Sequence, residues 1–146
     1  MKNKIIPLIT ALLALMGFRS CLAVNMYGCP HATFQFQGEA TDEDGKPVPG
    51  IRVVVSPYGQ ESDGIQNDTL YTDTQGLAQG TMRYDWPGLP EAMEVVFEDV
   101  DGDQNGAFQK AVLKKDQLDM EQTSPGDKSW YEGEYTISAK ARLQKQ

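Results

Sequence analysis

The chain has 146 residues, with 21 acidic against 13 basic side chains and one histidine, which gives a formal net charge of -8 at pH 7. This length allows one domain plus an export signal, and the domain can bury a core without several disulfides. The negative charge argues against a nucleic-acid partner, because nucleic-acid phosphates would be repelled.

Residues 1–20 have the pattern of an export signal. Lys2 and Lys4 precede an apolar run from Ile5 to Met16, which is too short to cross a membrane comfortably. We therefore predict a signal peptide at 1–20. Its removal leaves 10 basic against 21 acidic residues, a net charge of -11.

Cys21 directly follows the small residue Ser20, in a segment that resembles a bacterial lipobox. Phe18 and Arg19 depart from the usual lipobox residues. We expect Cys21 to carry the lipid, with acyl groups such as palmitate, and residues 21–32 to form a tether. Cys29 then has no partner within the chain, and it is either a small buried residue or an exposed free thiol able to react or to cross-link two molecules. The alternative is a Cys21–Cys29 disulfide formed in an oxidising compartment.

The first half of the domain, which we place at 33–146, predicts two strands and a long loop. Thr33–Thr41 alternates apolar and polar residues, and Ile51–Val55 is almost continuously apolar. Asp44-Gly45 between them is a turn signal, so we predict a hairpin. Ser56–Thr69 breaks both periodicities and predicts an exposed loop. With Trp86 of the next loop, it supplies the candidate recognition residues Tyr58, Asp63, Asn67 and Asp68.

The second half predicts a further hairpin and three more strand regions. Leu70–Thr72 and Leu77–Tyr84 flank a turn signal at Asp73–Gly76. The further strands are predicted at Met93–Glu98, Phe108–Leu113 and Trp130–Leu143, with a short helical turn in Lys114–Met120. Trp130 is predicted to plug one end of the domain. About seven strands without a helical crossover predict an all-β fold, an antiparallel Greek-key β-sandwich.

One segment matches the opening of a calcium loop. It runs from Asp101 to Gly106 with the pattern D-x-D-x-N-G, whose oxygen ligands suit a hard cation. The twelfth position, where an EF-hand has an acid, is Val112. The candidate calcium ligands are Asp99, Asp101, Asp103 and Asn105. The alternative is a hydrated acidic turn, and no other cofactor is expected.

Two stretches carry a resemblance to known families. Gly38–Val53 together with Tyr71–Gly76 resembles the carboxypeptidase-regulatory and transthyretin-like (prealbumin-like) β-sandwich superfamily. Met26–Pro30, Val96–Gly102 and Trp130–Tyr135 resemble the radical-SAM-associated lipoproteins of Bacteroidota, a family named for its gene neighbourhood. Cys29 stands where that family has threonine. The resemblance implies an envelope lipoprotein and supplies no established activity.

Enzymes of this fold class were compared motif by motif. The transthyretin-like purine-pathway hydrolases need several histidines and a C-terminal Tyr-Arg-Gly-Ser, whereas this chain has only His31 and ends in Gln-Lys-Gln. A nucleophilic serine or cysteine would have only His31 to act as its base, and no Gly-x-Ser-x-Gly elbow is present. We therefore predict that the protein is not an enzyme, with an unrecognised hydrolase as the least favoured option.

The combined prediction is a lipid-anchored, non-catalytic binding or accessory module of a Gram-negative cell envelope. Its working surface is expected on the loops Pro57–Asp68 and Asp99–Gly106, for an envelope protein or a glycan. A periplasm-facing anchor is preferred over a surface-exposed one, because no acidic residues follow Cys21 directly. The alternative is that a partner radical SAM enzyme modifies this protein, on Cys29 or another residue.

Overall fold

The computed structural model describes residues 30–57, 67–84, 90–127 and 129–146. These residues form eight β-strands and two short 3-10 turns, and within them there is no α-helix. The strands are β1 (His31–Thr41), β2 (Ile51–Ser56), β3 (Asp68–Tyr71), β4 (Leu77–Tyr84), β5 (Glu94–Asp99), β6 (Ala111–Lys114), β7 (Asp119–Pro125) and β8 (Tyr131–Arg142). The predicted all-β sandwich is confirmed. No described helix has the length and apolar character needed to cross a bilayer.

The strands form two four-stranded sheets. Sheet A has the order β4-β1-β8-β7, and sheet B has the order β3-β2-β5-β6. Neighbouring strands are antiparallel with one exception, since β1 and β8 run parallel with Phe36 opposite Ile137. On its other side β8 pairs antiparallel with β7.

Both predicted hairpins are connections between the sheets. β1 lies in sheet A and β2 in sheet B, and β3 lies in sheet B and β4 in sheet A. The segment between β1 and β2 makes one isolated bridge, from Thr41 at the end of β1 to Pro47. The turn signals are real, because Gly45 and Gly76 both have positive φ. A turn reverses the chain but does not decide which sheet the next strand joins, so the prediction that these strands pair was wrong.

β7 is a strand that the sequence did not predict. It lies at an edge of sheet A with mostly exposed side chains, so it has no hydrophobic alternation. Pro125 ends it, at an edge position where a missing N–H is tolerated. The predicted helical turn before it is confirmed as a 3-10 turn at Lys115–Gln117.

The core lies between the sheets, on the faces that the alternating strands predict. Phe34 and Phe36 of β1 point inward, as do Ile137 and Ala139 of β8. A Cβ on Gly38 would lie 2.9 Å from the ring of Phe36 in sheet A and 3.5 Å from the ring of Phe97 in sheet B. Glycine at 38 thus leaves room for both rings in the core.

The two ends of the sandwich differ. The end where β1 begins, which we call the N-terminal end, brings His31 beside Tyr131, and Ala32 opposite Tyr84. The other end, where β1 finishes, places Glu39 opposite Leu77 and carries the turns after β1, β3 and β5. β1 has 11 residues, so the ends lie about 35 Å apart at about 3.3 Å per residue.

Candidate functional site

The end opposite the N-terminal end gathers acidic turns from three separate stretches of chain. These are the turns at 42–46, 73–76 and 99–106. We call this surface the acidic end, and its carboxylates are those of Asp42, Glu43, Asp44, Asp73, Asp99, Asp101 and Asp103.

Two of the turns have the same hydrogen-bond pattern. The Asp42 Oδ1 accepts the backbone N–H groups of Asp44 and Lys46, both at 2.9 Å. The Asp73 Oδ1 accepts those of Gln75 at 2.8 Å and Leu77 at 3.0 Å. In each turn the glycine three residues on donates its N–H to the aspartate carbonyl. A side chain that holds its own turn in this way fixes the local backbone.

Two glycines allow close contacts at the acidic end. A Cβ on Gly76 would lie 2.5 Å from the carbonyl oxygen of Ala40 and 3.0 Å from the Cβ of Pro47, the residues that flank the turn at 42–46. A Cβ on Gly50 would collide with the carboxylate of Asp101. The N–H of Gly50 donates to the Thr72 carbonyl at 3.0 Å. The turn at 73–76 therefore packs against the base of the turn at 42–46, and Gly50 joins the loop at 99–106 to the residue before the turn at 73–76.

The pKa of Asp42 is lowered, chiefly because the backbone N–H of Lys46 donates to the ionised carboxylate. The N–H of Asp44 and the charges of Lys46 and Lys145 act in the same direction, while partial burial opposes them. A lowered folded-state pKa contributes stability above the unfolded value, near 3.8, and that stability is lost as pH falls through the folded value.

We therefore expect a pH-dependent effect of the substitution Asp42→Asn. The wild type should exceed the variant in free energy of unfolding by a constant amount above about pH 5, and this excess should shrink below about pH 4. Urea denaturation between these values measures it, with the exposed neighbour Glu43→Gln as the control. An equal difference between wild type and Asp42→Asn at acid and neutral pH would contradict the assignment.

The predicted calcium loop forms a 3-10 turn at Gly102–Gln104. The Asp99 side chain already accepts two backbone N–H groups, from Asp101 at 3.3 Å and from Phe108 at 3.0 Å. The Asp101 carboxylate accepts the amide of Asn105. Across the ranges that the structure describes, no three His, Cys, Asp or Glu side chains are grouped to hold a metal ion. The calcium site at Asp99, Asp101, Asp103 and Asn105 stays a prediction.

The two predicted recognition loops leave sheet B at opposite ends. β2 pairs Ile51 with Asp99 at the acidic end and Val55 with Asp68 at the N-terminal end. The Pro57–Asp68 loop therefore starts and finishes at the N-terminal end, whereas the Asp99–Gly106 loop starts at the acidic end. Residues 58–66 lie outside the described residues, and a shared working surface stays a prediction. Sequence spacing could not show where the loops start, because that depends on strand direction.

Three of the five candidate recognition residues lie outside the described residues: Tyr58, Asp63 and Trp86. Asn67 is exposed, and Asp68 is half-buried and accepts the Tyr84 hydroxyl at 3.2 Å. The lipidation candidate Cys21 and the thiol candidate Cys29 also lie outside the described residues.

The outer face of sheet A is polar and carries shallow depressions. Gln35 accepts the Thr81 hydroxyl at 2.7 Å and donates to Glu134 at 2.9 Å, which links three strands. Gln37 and Gln79 line two neighbouring depressions of about 290 and 130 Å³. Neutral amides dominate the middle of this face, in contrast to the carboxylates of the acidic end.

The outer face of sheet B carries a cross-strand ion pair. Arg52 and Glu98 lie directly opposite each other, 2.5 Å apart, and Tyr71 lies opposite Arg52 on its other side. The hydrogen bond between them raises the pKa of Arg52 and lowers that of Glu98. Both side chains are more than a third exposed, so solvent screens this pair.

Ser56, on the same face, is fully buried and its hydroxyl has no hydrogen-bond partner.

No protein-family model matches the chain, and no curated protein matches it significantly. Among solved structures it is similar to 3-chlorocatechol 1,2-dioxygenase from Rhodococcus opacus 1CP, with a TM-score of 0.51 and 13% identity over 84% of this chain and 63% of that one. It is also similar to catechol 1,2-dioxygenase from Pseudomonas arvilla C-1, with a TM-score of 0.47 and 14% identity over 84% and 54%. The chain spans less than two thirds of either protein. Identity this low indicates a shared fold alone.

The prediction that the protein is not an enzyme is corrected by this comparison. It rested on the absence of familiar catalytic motifs from a small sandwich domain. The fold is nevertheless shared with 3-chlorocatechol 1,2-dioxygenase, which is an enzyme. Fold class therefore gives no ground for excluding catalysis, and any function must be argued from the side chains that the fold brings together.

Proposed function

We propose that this protein is a lipid-anchored binding module of a Gram-negative cell envelope, and that the acidic end is its recognition surface. One observation carries the proposal: β1 starts at one end of the sandwich, and the three acidic turns converge at the other. A chain attached to a membrane through its N-terminal tether would present the acidic end away from that membrane. A periplasm-facing anchor is part of the proposal.

The partner that best fits this surface is an envelope protein with a basic patch. The carboxylates of the acidic end come from turns fixed by hydrogen bonds, so little conformational entropy is lost when they are engaged. Complementary charge accelerates association and selects partners, and it makes binding sensitive to salt. A strongly anionic partner would be repelled by the same surface.

The lipid anchor is tested by intact mass spectrometry of the protein purified from membranes of its native host, with and without reduction. We expect a mature chain that starts at an acylated Cys21. A chain without acyl groups and with a Cys21–Cys29 bridge would contradict the anchor. Mass beyond acylation would favour the alternative, in which a radical SAM enzyme modifies the protein, and fragmentation would show whether Cys29 carries it.

The recognition surface is tested by photo-crosslinking in the native envelope. A crosslinking amino acid replaces Asp44 at the acidic end or, as the comparison, Gln122 on the exposed edge strand β7. We expect a specific crosslinked product from position 44, whose yield falls as the salt concentration is raised. We expect no such product from position 122. Equal crosslinking at both positions would contradict the proposal.

A matched pair of charge variants separates local recognition from net charge. The double substitution Glu43→Gln/Asp103→Asn removes two exposed carboxylates from the acidic end, and Asp119→Asn/Glu121→Gln removes two from β7. The first should reduce the crosslinked product from position 44 several-fold, and the second should leave it unchanged. The same loss in both would show that net charge alone matters.

A further inference from the structure

Trp130 is a large aromatic side chain that the fold leaves in solvent. It is 42% exposed at the N-terminal end of the sandwich, so the prediction that it plugs this end was wrong. Tyr84 is buried there instead, with its ring 5.2 Å from that of Phe34. The sandwich is thus closed without the indole of Trp130.

The turn that carries Trp130 is held by hydrogen bonds on both sides. Asp127 accepts the Ser129 N–H at 2.9 Å and the Ser129 hydroxyl at 2.6 Å, and the hydroxyl is the main reason why its pKa is lowered. The Asp127 N–H donates to the backbone carbonyl of Tyr131 at 3.1 Å. The Trp130 carbonyl accepts the N–H of His31 at 2.8 Å. Trp130 is therefore fixed beside the first residue of β1.

The position of Trp130 matters because of where the chain outside the described domain is attached. Nine residues, 22–30, separate Cys21 from the start of β1. Fully extended, the chain from Cys21 to His31 spans at most about 36 Å. A lipid on Cys21 would keep the N-terminal end within this distance of the bilayer, whereas the acidic end lies a further sandwich length away.

We propose that Trp130 contacts the lipid–water interface of the membrane that holds the acyl chains of Cys21, and so orients the domain. The inference depends on the lipid anchor of the proposed function. Indole rings favour this interface, because their apolar body leaves water while the ring N–H stays hydrogen-bonded. The carboxylates of the acidic end disfavour the opposite orientation on anionic lipids.

The test measures the fluorescence of Trp130 in the mature acylated protein. Trp86, the second tryptophan of the chain, is replaced in W86F so that Trp130 is the single reporter. The protein is reconstituted into vesicles of phosphatidylcholine mixed with anionic phosphatidylglycerol, with or without brominated acyl chains. We expect a blue-shifted emission that the bromolipid quenches. As the matched control, E43W in a W86F/W130F background reports from the acidic end and should not be quenched.

The outcomes of this test separate the contact from the anchor, because intact mass is measured on the same sample. An acylated protein with unquenched Trp130, or with both reporters quenched alike, would overturn the inference and leave the anchor standing. An unacylated protein whose Trp130 is quenched by added vesicles would overturn the lipid anchor but support a contact of Trp130 with the lipid–water interface. An unacylated protein whose Trp130 is not quenched would overturn both the anchor and this contact. Circular dichroism of each variant verifies the fold.

Discussion

The substitution Phe36→Ala should lower the free energy of unfolding by about 3–5 kcal/mol. Phe36 is 1% exposed and lies on β1 between β4 and β8, opposite Gly80 and Ile137. Its ring and the ring of Phe97 from the facing sheet both lie against Gly38. Truncation removes apolar burial and leaves a cavity where the two sheets touch, and a rigid sandwich cannot fully collapse to fill it. A loss of this size is a large fraction of the stability of a small domain.

Urea denaturation followed by tyrosine and tryptophan fluorescence measures this loss. The control is Gln37→Ala, the next residue of the same strand, whose side chain faces solvent. It should change the free energy of unfolding by no more than about 0.5 kcal/mol. Similar losses for the two variants would show that β1 does not present Phe36 to the core, and the assigned register of sheet A would be wrong.

The substitution Gly76→Ala should have the second largest effect, a loss of about 2–4 kcal/mol. Gly76 has a φ of 72°, where an L-residue incurs a strain of about 1 kcal/mol. Its new Cβ would also press on the Ala40 carbonyl and on Pro47, neither of which is a flexible side chain. Such overpacking adds about 1–3 kcal/mol. The collision falls where the turn at 73–76 contacts the turn at 42–46.

Gly45→Ala is the matched control for this prediction. Gly45 has a φ of 79° in the equivalent turn, but a Cβ there would meet no atom within 4 Å. Gly45→Ala should therefore introduce backbone strain alone and lower the free energy of unfolding by about 1 kcal/mol. The difference between the two variants in denaturant unfolding therefore measures the contact between the turns. If both lose the same amount, the turns of the acidic end are not packed against each other.

Local patterns predicted the strands best where one face is buried. The alternation in Thr33–Thr41 and Trp130–Leu143 placed Phe34, Phe36 and Ile137 on the inward face, and the structure confirms this. A strand between a core and solvent must alternate apolar and polar residues, so its sequence shows which side chains face the core. β7 was missed because most of its side chains are exposed, and such an edge strand has no alternation of apolar and polar residues.

The candidate site was predicted in pieces. Asp44-Gly45 and Asp73–Gly76 were recognised as turns because aspartate and glycine at these spacings satisfy the turn backbone locally. Their convergence with Asp101 was not predicted. The contact of Gly50 with Asp101 joins residues about fifty positions apart, and no local spacing encodes it.

The sequence by itself determined that the chain is all-β, which residues of its alternating strands face the core, and where its tight turns lie, because side-chain alternation and turn chemistry are local properties. Only the tertiary structure decided which strands share a sheet and that β1 and β8 run parallel. It also decided that the two predicted recognition loops leave sheet B at opposite ends, and that Trp130 stays in solvent. Those features depend on contacts between residues far apart in the chain. Such contacts are selected by the burial of both inward faces at once, and no single segment carries that information.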